Sequence, residues 1–88
     1  MKYRSRSEIV RMILEAANVR QGTSRTRLMY KSYLAYNQLK DYLKALQENG
    51  LIEYEVGIRS YKITEKGVRL LELQNRMKEL TPINYVET

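Results

Sequence analysis

Cysteine and histidine are both missing from the 88 residues of this chain. The first absence excludes disulfides, thiolate nucleophiles and every cysteine-based metal cluster. The second removes the side chain that titrates near neutral pH and is the usual metal ligand and general base, so hydrolytic and zinc sites have no obvious residues to use. No metal and no cofactor are expected. The carboxylates are scattered over helix surfaces, no glycine-rich phosphate loop is present, and the notable serines and threonines read as helix caps. Together these argue against an enzyme. No apolar run approaches the roughly 18 residues of a membrane span, and the basic N-terminus runs into Glu8 and Arg11 where a signal peptide would turn apolar. A soluble, cytoplasmic protein is the expectation. Phenylalanine and tryptophan are absent too, which leaves eight tyrosines as the whole aromatic complement.

What is present is positive charge, unevenly placed. Of the formal net charge of +6, all the excess lies in residues 1 to 31, where eight Lys/Arg face two glutamates; the remaining residues balance eight against eight. A merely solubilising surface intersperses the two signs, whereas a one-sided basic field attracts phosphate. A chain of this length buries only roughly 60 to 65% of its surface, so its stability margin is small and a second subunit is a common remedy.

Ser5-Arg6-Ser7-Glu8 fits a capping box and predicts a helix starting near Arg6. Ile9, Val10, Ile13, Leu14 and Ala17 then recur at helical spacing, with Arg11 and Glu15 as an i, i+4 pair on the wet face. Asn18 to Gly22 breaks the pattern. Thr23 is the expected N-cap of a short second helix over about Ser24 to Tyr30, followed by a turn from Lys31 to Leu34. Leu39, Tyr42, Leu43 and Leu46 mark one face of a third helix that ends at Asn49-Gly50, where the glycine suits a left-handed cap. At 100° per residue, Asn37, Lys40, Asp41, Lys44 and Glu48 fall opposite that face.

Ile52, Tyr54 and Val56 alternate with Glu53 and Glu55, and Tyr61 and Ile63 alternate with Lys62, the period-two pattern of a half-buried hairpin whose tip is Gly57-Ile58-Arg59-Ser60. Thr64 caps a last helix that Pro82 ends. That helix carries two apolar faces. Val68 and Leu71 lie on one, and Leu70, Leu73, Met77 and Leu80 follow 3-4-3 spacing on the other, which calls for a partner helix. The order predicts a mainly α fold with a small β-hairpin, a winged helix-turn-helix. It spans residues 1–81, with a dimerisation helix over 65–81 and a tail over 82–88.

Several segments carry a family resemblance. Glu8-Ile9-Val10, Ile13-Leu14-Glu15-Ala16, Thr26-Arg27-Leu28-Met29-Tyr30, the Leu39 to Leu43 helix, Gly50-Leu51-Ile52 and Tyr61-Lys62-Ile63-Thr64-Glu65-Lys66-Gly67 together resemble small archaeal winged-helix DNA-binding proteins, whose size this chain shares at 10.5 kDa. The Thr-Arg-Leu-Met-Tyr run is the most specific of these pieces. The resemblance implies a homodimer joined by an antiparallel coiled coil of C-terminal helices. It has two departures: Ala35 stands where a capping serine is expected, and the last helix stops early, at Pro82.

These readings converge on duplex DNA as the partner, bound by a transcriptional regulator or by an architectural protein of the nucleoid. Arg25, Arg27 and Lys31 are the expected phosphate contacts on or beside the second helix. Tyr33 and Tyr36 are in reach of phosphate or sugar, while Asn37, Lys40 and Lys44 enter a groove and Arg59 and Ser60 act at the wing tip. Tyr30, Tyr42, Tyr54 and Tyr61 fall on apolar faces and are expected in the core. The alternatives are a dimeric protein-interaction module and an RNA-binding winged helix.

Overall fold

The computed structural model describes residues 4–80, with side chains described through Met77. Helix α1 (Arg6–Ala17) starts where the Ser5 hydroxyl accepts from the Glu8 amide at 3.1 Å. Its buried side is Ile13, Leu14 and Ala17. Helix α2 (Arg25–Ser32) is capped by Ser24, which accepts from the Arg27 amide at 3.2 Å, and not by Thr23. Thr23 belongs to the sheet instead. Its amide and carbonyl each bond the backbone of Tyr61 at 2.8 Å, so a β-bridge claims the residue expected as a cap.

The helix also runs further than expected, because its end is built from residues assigned to the turn. Tyr33 adopts a left-handed conformation (φ 55) and the Leu34 amide reaches back to the Met29 carbonyl at 3.3 Å, the six-to-one bond of a Schellman ending. A tyrosine usually avoids this region. It is held here by Arg4, whose guanidinium donates to the carbonyls of Ser32 and Tyr33 and lies 5.6 Å from the Tyr33 ring.

Helix α3 (Tyr36–Glu48) buries Leu39, Leu43 and Leu46, as its spacing requires. Ala35 supplies no side-chain cap at its start, but the Gln38 Oε1 accepts from the Ala35 amide at 3.1 Å, which is one half of a capping box. At the far end Gly50 takes the left-handed φ of 72, and Lys66 Nζ donates to the Asn49 carbonyl at 2.8 Å. Strands β1 (Ile52–Glu55) and β2 (Ser60–Ile63) pair antiparallel, Ile52 with Ile63 and Tyr54 with Tyr61. The four residues Val56 to Arg59 make the turn, closed by the Arg59 amide on the Val56 carbonyl at 3.2 Å. The alternating pattern therefore stops one residue sooner than expected, and Val56 is exposed in the turn.

Helix α4 (Glu65–Leu80) begins at Thr64, whose hydroxyl accepts from the Gly67 amide at 3.0 Å and donates to the Gly50 carbonyl at 2.6 Å. Gly67 lies against the Leu51 carbonyl and the Ile63 side chain, where a Cβ has no room. The helix packs on α1 and β2 and buries Leu71. Leu70, expected on the outward stripe, is half-buried and packs against the same core, since it neighbours Leu71 on the helix circumference. Leu73 and Met77 remain outward. The Leu80 side chain, Pro82 and the tail lie outside the described residues. Ile13, Leu14, Leu28, Leu39 and Ile52 form the centre of the core, which joins α1, α2, α3 and the hairpin. No helix among the described residues is long and apolar enough to cross a membrane.

Candidate nucleic-acid interface

The exposed side of α3 is a row of Tyr36, Asn37, Lys40, Asp41, Lys44 and Glu48. It follows from the helix itself. Once Leu39, Leu43 and Leu46 are committed inward, the residues about half a turn away must face solvent. Tyr36 at its start is covered by Arg25, whose guanidinium lies 4.6 Å from the ring centroid, a cation–π contact that ties the first turn of α2 to the first turn of α3. Behind them Tyr54 and Tyr61 meet with ring centroids 4.6 Å apart. Burial raises the pKa of the Tyr61 hydroxyl above its ordinary value, with nearby Tyr54 adding to the effect, so this phenol stays protonated.

The expected basic residues do not form one patch. Arg25 faces α3 and the wing, whereas Arg27 and Lys31 line a different hollow along α1 together with Arg11, Glu15 and Val19. Two helical residues subtend about 200°, so Arg25 and Arg27 point to nearly opposite sides of the short helix. Arg11 is withdrawn from any external role. It bridges Glu8 at 2.6 Å and Glu15 at 3.1 Å, and the hydrogen bond to Glu8 holds its pKa above the usual arginine value.

At the wing, Arg59 is exposed, adopts a left-handed φ of 52 and has no ion-pair partner among the described residues. Ser60 is not part of the tip. It is the first residue of β2, buried, and its hydroxyl donates to the Gln21 carbonyl at 2.7 Å. That bond pins the wing to the loop before α2, at the place where Gly22 (φ 78) passes so close to Ser60 and Tyr61 that no side chain fits.

Among the tyrosines, Tyr33 is 75% exposed and Tyr36 is 41% exposed, so both are accessible to a ligand. Tyr42 and Tyr61 are half-buried against the core. Tyr30 is not a core residue: it is 77% exposed because it stands about 200° from Leu28 and from Ser32, the buried residues of its helix. Tyr54 is also exposed at 38%, with one face covered by Tyr61. Arg4, which positions Tyr33 from 29 residues away, left no local signal by which it could be found.

Among the described residues, four helices and a two-stranded hairpin in this order define a winged helix-turn-helix, a class that generally binds DNA. The family model described as winged helix-turn-helix matches residues 3–82, and the chain belongs to that family. Among curated proteins no significant match is found.

Proposed function

We propose that this protein binds double-stranded DNA as a homodimer, docking α3 in the major groove and the wing on the adjacent backbone, and that it serves as a transcriptional regulator or a chromosomal architectural protein. The observation that carries this reading is the exposed face of α3, bordered at its first turn by the Arg25–Tyr36 pair. Lys40 and Lys44 are its groove cations, Asn37 its base-reading amide, and Arg25, Tyr33, Tyr36 and Arg59 its sugar and phosphate contacts. Asp41 and Glu48 on the same face repel phosphate and restrict α3 to base edges, so the backbone attraction falls on the flanks.

Support for the dimer comes from α4. Leu73 and Met77 are 52% and 57% exposed on a helix otherwise rich in charge, and a second copy of the same helix is the natural cover for a stripe of this spacing. Duplex binding followed by fluorescence anisotropy across a salt series tests the reading. A steep salt slope with loss of affinity in the Lys40→Ala/Lys44→Ala double variant is expected. A variant that binds as tightly as the parent refutes the α3 assignment.

A further inference from the structure

Tyr33 occupies a backbone position that suits glycine better. Among the described residues four take a left-handed φ, and two of these, Gly22 and Gly50, are glycines that reach φ 78 and 72 without steric cost. Tyr33 reaches φ 55 with a β-carbon and a ring. Burial does not offset the strain, because the side chain is 75% exposed and adds nothing to the core. A strained residue at an exposed corner is held for what it presents to the outside.

The group that holds it lies 29 residues earlier in the chain. Nη1 of Arg4 donates to the Ser32 carbonyl and lies 3.4 Å from the Met12 sulfur, Nη2 donates to the Tyr33 carbonyl at 3.3 Å, and the guanidinium carbon sits 5.6 Å from the Tyr33 ring centroid. One planar group thereby fixes the last carbonyls of α2, the backbone of the corner and the ring that stands on it. Its charge meets the negative end of the helix dipole, and no carboxylate pairs with it among the described residues. A lysine has no fork with which to bond two carbonyls and lie over a ring at once.

We propose that Arg4 is a positioning residue for duplex binding, which presents Tyr33 at the α2–α3 corner to a sugar edge of the DNA and makes no phosphate contact of its own. This rests on the DNA-binding reading and deepens it: the guanidinium lies over one face of the ring, so the hydroxyl and the other face are what the duplex meets. The corner leads directly through Leu34 and Ala35 into Tyr36, the first residue of α3, so the same fixed turn sets where that helix begins.

Fluorescence anisotropy with a two-turn DNA duplex of mixed sequence, repeated across a salt series, tests this in the parent, Tyr33→Gly, Arg4→Ala and the Arg4→Ala/Tyr33→Gly pair. Tyr33→Gly is expected to bind roughly fivefold more weakly, the worth of one hydrogen bond, since glycine keeps the left-handed corner and removes only the ring. Arg4→Ala is expected to lose as much while keeping the salt slope of the parent. The pair should bind no more weakly than Tyr33→Gly alone, because both changes remove the same contact. Arg4→Lys keeps the charge without the fork and is expected to behave like Arg4→Ala. If Tyr33→Gly binds as tightly as the parent, Arg4 is a helix-end cap only and the proposal is overturned. A salt slope that falls by about one in Arg4→Ala marks a direct phosphate contact and overturns it too, as does a further loss when Arg4→Ala is added to Tyr33→Gly. The glycine background also serves if Arg4→Ala by itself fails to fold, since the corner there needs no support. A parent protein that does not respond to the duplex overturns this proposal and the DNA-binding reading together, whereas the other outcomes leave that reading standing.

Discussion

Arg11 on the first helix sits between two carboxylates of its own helix, 2.6 Å from Glu8 and 3.1 Å from Glu15, whereas Arg59 at the wing tip has no ion-pair partner among the described residues. The two arginines carry equal charge, and a count of basic residues scores them alike. Their surroundings separate them. Helix α1 is a scaffold: its inner side fills the core, and its Arg11 is neutralised by partners three and four residues away, where helix geometry brings side chains together. The wing and the first turns of α2 and α3 are the reverse, with cations set beside aromatic rings, free amides and hydroxyls.

The scaffold side of this comparison predicts the largest effect. Leu14→Ala, at a fully buried position, is expected to cost about 2 to 5 kcal/mol in chemical denaturation, whereas Arg59→Ala should stay within about 0.5 kcal/mol. Equal losses from the two would erase the distinction between scaffold and surface. Next comes the outer face of α4. Replacing Leu73 and Met77 together by aspartate should convert the dimer to a monomer in sedimentation, with weaker duplex binding because two half-sites are no longer linked. A parent protein that is already monomeric at micromolar concentration rules out the dimer.

On the interface itself, Lys40→Ala/Lys44→Ala should lower duplex affinity roughly tenfold and flatten the salt dependence by about two contacts. The comparison between the arginines is then direct: Arg59→Ala should reduce the salt slope by about one, and Arg11→Ala should leave it unchanged. A change of slope in Arg11→Ala would mean that its carboxylate partners release it on binding. The smallest effect concerns pH. The folded state holds the Tyr61 phenol protonated by burying it, so its contribution to stability is present below the ordinary tyrosine value of about 10 and is lost as pH rises through the raised folded value. Denaturation midpoints measured across that range should therefore fall less steeply for Tyr61→Phe than for the parent.

Helix periodicity read from single segments predicted α1 and α3 well, because each buries a face whose spacing is local; the hairpin stands where it is expected, but of Ile52, Tyr54 and Val56 only Ile52 is buried. The same arithmetic, carried through for α2, would have placed Tyr30 on its outer side and separated Arg25 from Arg27. Thr23 was harder to read. Thr23 and Ser24 are both good caps by side-chain chemistry, and only pairing with Tyr61, 38 residues later, removes Thr23 from the competition. Ser60 leaves the tip for the same reason, since its hydroxyl finds Gln21, 39 residues earlier in the chain.

The sequence by itself determined the order of elements, the inward-facing leucines and the absence of the side chains that metal and thiol chemistry use. Each of these depends on residue type or on contacts three and four positions apart. Only the tertiary structure decided that Arg4 fixes the turn around Tyr33, and that the wing tip and the start of α2 share one hollow. Those outcomes come from side chains and backbone groups 28 to 39 residues apart, whose meeting is set by how the core packs and leaves no periodic trace in the chain.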